Sequence, residues 1–351
     1  MISRDERLAR RPAPLTLVLA RNRTRMPSDH HSSPRTATPS LPRSPVPPMT
    51  RSGEHAILVT GATGGVGRLV VDELLRAGVP VRALTRRPER AAFPAGVEVV
   101  AGDFAVPESL DPALDGVAAV FLVWTAPPAT APAVVARIAA HPPARPRRVV
   151  YLSAPFRTPH PFFQQPNPVR DLHAQVERLL AASGLDVAVL RPGMFAANAL
   201  HWWAPQIRSG DVVRWSYAAA KTAPIDARDL AAVAARVLTD ARHAQGDYVL
   251  TGPESLSQAA QVHAIGRAIG RQLRYEELSP AEFRRDTAGA WPSAVVEMLL
   301  AAWRAALGRP AFVTSAVEEI LGVPARTFEA WAADHAAAFA RIQAGHIAPA
   351  G

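Results

Sequence analysis

Residues 55–87 read HAILVTGATGGVGRLVVDELLRAGVPVRALTRR. Ile57 to Thr60 form an apolar run of strand length. Gly61, Gly64 and Gly67 follow in G-x-x-G-x-x-G spacing. Val66, Leu69, Val70 and Leu74 then recur at a helical period, and Gly78 marks the helix stop. Val79 to Leu84 supply a second strand. A glycine triplet alone is widespread. Between a strand and a helix that leads into another strand, it predicts a phosphate cradle. Gly61 permits the tight turn, Gly64 lets backbone approach a pyrophosphate, and Gly67 lets helix and strand pack closely. Thr63, Gly65 and Val66 complete the expected cofactor-binding turn, whose N–H groups face the anion from the helix N-terminus.

The end of the second strand selects between cofactors. A carboxylate there would bond a ribose 2′-hydroxyl, but the chain has Thr85 followed by Arg86 and Arg87. A guanidinium suits a 2′-phosphate, so NADP(H) is favoured over NAD(H).

Outward from this unit, composition narrows the function classes. The chain has 351 residues, 48% of them apolar, and no cysteine. That leaves no disulfide framework, thiolate nucleophile or cysteine-ligated metal. The formal charge of +9 is unevenly placed. Residues 1–50 hold nine Arg against three acidic residues, while the other 301 hold 30 basic and 27 acidic. The basic excess belongs mostly to the beginning of the chain, so nucleic-acid binding is not expected. Residues 1–52, rich in Arg, Pro and Ser, read as a disordered tail. Arg10-Arg11 before APLTLVLA resembles an export signal only faintly, because the apolar stretch is short and ends at Arg21. No run approaches the roughly 18 residues of a membrane span. A cytoplasmic protein is expected. No metal site is expected either: His30 and His31 lie in the tail, and no H-E-x-x-H occurs.

Further motifs follow in order: AGDF at 101–104, LRPGMFAAN at 190–198, IDARDLAAVAARVL at 225–238 and YVLTGPESLS at 248–257. With TGATGGVG at 60–67, the set resembles the atypical short-chain dehydrogenases, in particular the NmrA-like group. That group includes quinone and dye reductases as well as redox-sensing regulators. The resemblance spans about residues 55 to 342. It implies that Asp103 and Phe104 sit beside the adenine. Val123 and Trp124, with Thr125, line the cofactor groove. Ser153 ends the fifth strand, and Pro192, Gly193, Met194 and Phe195 flank the nicotinamide. Strand ends of this kind bind ligands in open parallel sheets generally.

Relatives with full proton chemistry carry Tyr-x-x-x-Lys on the helix after the fifth strand. In NPVRDLHAQVERLLAASG, His173 falls at the lysine register and Val169 at the tyrosine register. Valine cannot donate a proton, so the usual dyad is missing. His173 is the best side-chain candidate for a proton donor or carbonyl ligand, with Ser153 second; the alternative is a surface histidine near Glu177. Tyr217 and Lys221, the only lysine, repeat the spacing in WSYAAAKTAP. They lie in a segment that reads as strand or loop, where positions four apart stand about 13 Å apart. They are not expected to form the dyad, though each is a candidate to border the cleft.

Phe156, Phe195, Trp202, Trp203 and Tyr217 cluster where a substrate should lie and suit an apolar or aromatic small molecule. The expected architecture is α/β: a Rossmann-type doubly wound parallel sheet over 53–255, with a small, mostly helical C-terminal lobe over 256–345 that also takes part of 195–224. The expected function is an NADPH-dependent reductase handing hydride to a small aromatic, quinone-like or conjugated acceptor. The alternatives are a non-catalytic redox sensor and, less favoured, a nucleotide-sugar epimerase-like enzyme.

Overall fold

The computed structural model describes residues 56–140, 148–167 and 169–341. The expected tail, residues 1–52, lies outside them. The chain opens with β1 (Ala56–Val59), α1 (Gly65–Arg76), β2 (Val81–Thr85) and β3 (Val97–Ala101). α2 (Asp111–Leu114), β4 (Val117–Val123), α3 (Ala131–Ala140) and β5 (Arg148–Leu152) follow. Next come α4 (Arg170–Ala181), β6 (Asp186–Pro192), α5 (Asn198–Trp202), α6 (Ala204–Ser209), β7 (Val212–Ser216) and β8 (Lys221–Thr222). α7 (Ala227–Thr239), β9 (Gly246–Leu250), β10 (Leu256–Ser257), α8 (Gln258–Ala268) and β11 (Arg274–Leu278) lead to the last helices. These are α9 (Pro280–Thr287), α10 (Ser293–Ala306), α11 (Ala316–Leu321) and α12 (Phe328–Asp334).

Seven strands form one all-parallel sheet in the order β3-β2-β1-β4-β5-β6-β9. The order reverses direction between β1 and β4, the crevice where such sheets bind dinucleotides. Helices cover both faces. Ile57 and Val59 of β1 point to the side of α1 and α7, whereas Leu58 points to the side of α3 and α4. Strands buried on both faces read as continuous apolar runs rather than alternating ones, which is the texture of VAAVFLV in β4.

The lobe has its own core, drawn from residues 196–220 and 262–339. α11 departs from the expected division. Its Val317 and Ile320 pack into the body's core with α7, so the chain returns to the sheet inside the stretch assigned to the lobe. Helix starts are locally encoded. Ser279 and Glu282 form a capping box on α9, and the Asp226 carboxylate accepts from the Arg228 N–H at the start of α7.

Candidate active site

The turn between β1 and α1 is built for close backbone approach. Gly61 has φ +61°, a conformation that costs a side-chain-bearing residue. A Cβ at Gly67 would lie 2.3 Å from the Gly61 carbonyl oxygen. One at Gly64 would lie 3.1 Å from the same oxygen. α1 starts without a side-chain cap or an acidic residue in its first turn. Its first N–H groups therefore remain available to an anion, and the helix dipole adds to the attraction. Thr60 braces the turn by accepting from the Val123 N–H at 2.7 Å. Thr63 and Gly65 are exposed at the turn, and Val66 is half-buried. This cradle fits a dinucleotide pyrophosphate. Arg86 and Arg87 are exposed just past β2, and neither has an ion-pair partner among the described residues.

At the adenine end the structure separates backbone from side chain. Asp103 is turned on itself, its carboxylate accepting from the Ala105 N–H at 2.9 Å. Phe104 and Trp124 pack against each other, ring centres 5.2 Å apart, and both are buried in the α2–α3 side of the core. Both side chains are thus committed to that core. Val123 stays at the groove, against Gly61.

The largest difference from the sequence reading lies at the ends of β5, β6 and β9. Side chains alternate along a strand, so Tyr151, Ser153 and Arg191 all point toward α4. There they meet His173 and Glu177, four residues apart on one helical face. The Arg191 guanidinium is 1% exposed and donates to Glu177 at 2.7 and 2.9 Å. It also donates to Asp247 of β9 and to the Ala154 carbonyl at 3.0 Å. Ser153 donates to Glu177 at 2.5 Å. Phe156 lies under the Arg191 guanidinium, 5.0 Å from ring centre to charge. Arg191 and Glu177 are not among the expected site residues. The only signals are an arginine inside an apolar strand and a glutamate at a core position of α4.

His173 is corrected by the same geometry. It faces the sheet rather than the surface, with Nδ1 2.7 Å from the Tyr151 hydroxyl. Burial pushes its pKa down to about 4; the Arg191 charge adds to this and Glu177 opposes it. The lowered pKa disfavours the charged imidazolium as an acid, while a neutral ring bonded through Nδ1 keeps its other nitrogen for a carbonyl. Burial and Glu177 together push the Tyr151 phenol up. Since His173 titrates near 6.5 when unfolded, the unfolded chain binds more protons between pH 6.5 and about 4. Stability should fall as pH drops through that window, with a slope of up to ~1.4 kcal/mol per pH unit. Urea unfolding at pH 5 and pH 7 checks this: His173→Gln should shrink the difference, and an unchanged difference would refute the assignment.

Several expected substrate residues are placed elsewhere. Trp203 is fully buried, and Trp202 stacks on Trp215 with ring centres 5.9 Å apart. Both belong to an aromatic core of the lobe with Trp303 and Phe283. Tyr217 also packs on that core, at φ +59°. It opens a tight turn closed by the Ala220 N–H on its carbonyl at 3.0 Å. Tyr217 and Lys221 therefore stand on either side of a turn, not on one helical face. Phe195 packs on the body, paired by a bridge to Ile225. A shallow cleft lies beyond β6 and β9. Gly193 and Met194 line it, facing Phe162, Phe163, Phe312 and Lys221. Pro192 ends β6 just below it.

A parallel sheet with a glycine cradle at its switch point and a cleft beyond the neighbouring strand ends defines a dinucleotide-binding α/β protein. A family model described as NAD(P)H-binding matches residues 61–241. The chain belongs to this family, in the NmrA-like group of the atypical short-chain dehydrogenases, and is an NAD(P)H-dependent oxidoreductase. It is 41% identical over 289 residues to the (4-alkanoyl-5-oxo-2,5-dihydrofuran-3-yl)methyl phosphate reductase of Streptomyces griseus, covering 81% of this chain and 99% of that one. It is 33% identical to the NAD(P)H azoreductase of Xenophilus azovorans, with the same coverage. Among solved structures, the NADPH-dependent quinone oxidoreductase of Escherichia coli complexed with NADPH superposes with a TM-score of 0.66 at 27% identity, covering 80% of this chain and 99% of that one. Among the described residues, no helix is long and apolar enough to cross a membrane and no cluster suits a metal ion.

Proposed function

We propose that the protein is an NADPH-dependent reductase of a small conjugated acceptor whose double bond is activated by neighbouring carbonyl groups. The observation that carries this reading is the missing acid. Val169 stands at the start of α4, at the register where short-chain dehydrogenases with full Tyr-Lys chemistry carry tyrosine, and Nδ1 of His173 is taken up by the Tyr151 hydroxyl. When bound, NADPH supplies a hydride. An unactivated ketone would leave an alkoxide that needs an acid beside it. A carbon–carbon double bond conjugated to carbonyls instead leaves an enolate, whose charge the substrate delocalises until it leaves the cleft and bulk water protonates the carbon. Quinones and azo compounds share this tolerance. The named substrate of the Streptomyces relative carries such a bond, flanked by a lactone carbonyl and an alkanoyl group. The chain's part is to bind and orient: the glycine turn holds the pyrophosphate, Gly193 and Met194 border the nicotinamide side, and Phe162, Phe163 and Phe312 exclude water.

Arg86 supports the choice of NADPH. Arg86→Ala should weaken NADPH about tenfold, the ~1.4 kcal/mol of one exposed charge-assisted contact, with a much smaller effect on NADH. Fluorescence titration measures both. The acceptor class is tested by incubating the enzyme with NADPH and an alkanoyl butenolide phosphate, a naphthoquinone, an azo dye or a simple ketone. Turnover of the first three, with none on the ketone, is the expected result. Comparable ketone turnover, or no NADPH oxidation with any acceptor, would overturn the reading.

A further inference from the structure

We propose that Lys221 binds the phosphoryl group of a phosphorylated acceptor, forming an anion subsite in the cleft beyond β6 and β9. This deepens the reductase reading and rests on it.

The cleft is nearly free of charge. Of the residues lining it, only Lys221 and His160 are titratable, and none is acidic. His160 is already committed. Its Nε2 lies 3.0 Å from the Pro310 carbonyl, and its Nδ1 accepts from the Phe162 N–H at 3.3 Å. His160 therefore serves as a strap between the loop after β5 and the segment after α10. Lys221 is left as the charged lining side chain with no protein partner among the described residues.

Three observations mark this lysine. It is the only lysine in the chain, whose other side-chain cations are arginines. It is exposed, and among the described residues it has no ion-pair partner, whereas many arginines of the body and lobe are paired. Its backbone is held in place: Lys221 pairs with Ser257 across β8 and β10. Beside it, the Gly252 N–H donates to Ala223 and the Gly193 N–H to Leu250, tying β8, β6 and β9 into one rim.

An unneutralised ammonium above apolar walls attracts anions more strongly than the same charge on an open surface, because the walls focus its field. The ammonium offers three rotatable donors on a flexible stem, suited to a phosphate monoester as a point charge rather than to a planar carboxylate fork. Gly193, Met194 and Lys221 line the same shallow cleft, so a molecule seated over its mouth would lie beside all three. Its conjugated ring would lie toward Gly193 and Met194. Its apolar substituent would lie against Phe162, Phe163 and Phe312, and its phosphoryl group at Lys221.

The test uses the full chain and a matched pair: a 4-alkanoyl-3-(hydroxymethyl) butenolide and its phosphate monoester. The wild-type enzyme should prefer the ester in kcat/KM, chiefly through KM. Lys221→Met should reduce that preference about 30-fold, the size of one charge-assisted contact, and Lys221→Arg should restore most of it. Equal losses on both compounds, or an unchanged preference, would overturn the proposal. Calorimetric binding of the ester to the NADP⁺-loaded protein gives an answer that does not need turnover. Loss of ester affinity in Lys221→Met supports the subsite even if neither compound is reduced, in which case the reductase reading alone fails. Unchanged affinity overturns the subsite whatever the turnover. A carboxymethyl analogue that binds better than the phosphate would overturn the assignment to a phosphoryl group.

Discussion

Gly67→Ala should abolish useful cofactor binding, raising the Kd for NADPH by more than about 100-fold, and should also lower the melting temperature. The new methyl carbon would sit 2.3 Å from the Gly61 carbonyl oxygen and 2.7 Å from its carbon, both of them backbone atoms. No rotamer relieves a Cβ clash. Either α1 moves away from the turn or the turn moves away from β1. Overpacking of this kind typically costs about 1–3 kcal/mol of stability. The functional cost should be larger, because the displaced atoms carry the N–H groups that would face a bound pyrophosphate. Gly65→Ala serves as the stability control. A Cβ there meets nothing within 4 Å, and alanine favours a helix over glycine by about 1 kcal/mol. Thermal melts and fluorescence titration read the two effects separately. A Gly67→Ala protein with wild-type melting and NADPH affinity would show that the turn is not packed as described.

The second large effect is expected at Arg191. Replacing it with leucine leaves Glu177 buried without its principal partner. Glu177 is 4% exposed at its side chain, while Asp247, the other partner, is 46% exposed and can be hydrated. The stranded charge therefore sits on α4, not on β9. Removing one member of a buried pair costs about 3–5 kcal/mol. Arg157, 3.2 Å from Glu177, offsets part of that from the surface. The double variant Arg191→Leu/Glu177→Leu removes both charges and should recover about 2 kcal/mol or more of the loss, because matched apolar replacements of buried ion pairs are often neutral. Urea denaturation of the two single variants and the double variant measures the coupling. Additive losses would mean that Glu177 is hydrated after all. The network also holds the Ser153 hydroxyl and the Ala154 carbonyl, so the single variants should lose activity as well as stability.

Several elements are legible in the order of residues alone. β1 at Ala56–Val59 and β2 at Val81–Thr85 fall close to the apolar runs at Ile57–Thr60 and Val79–Leu84. The glycine turn can be read from the chain because its signal is local: spacing, strand and helix all lie within some 30 residues of sequence. The helix caps at Asp226 and Ser279 are local in the same sense. Each depends on backbone periodicity or on a side chain reaching its own N–H groups, and residue order determines these without distant contacts.

The remaining features require distant segments to meet. Glu177 and Arg191 stand as single charges at apolar positions of their own segments, and only the packing of α4 across β5 and β6 joins them as a pair. His173 occupies the register of a catalytic lysine, yet a tyrosine 22 residues earlier engages its Nδ1. The tryptophans read as a substrate wall from composition, but aromatic area packs equally well against itself, and the lobe uses it for its core. Lys221 faces a cleft assembled from the loop after β5, the ends of β6 and β9 and the segment after α10. Composition determines that this chain has one lysine. Where that charge meets no carboxylate is a property of the assembled surface, because the field in a cleft is set by every wall at once.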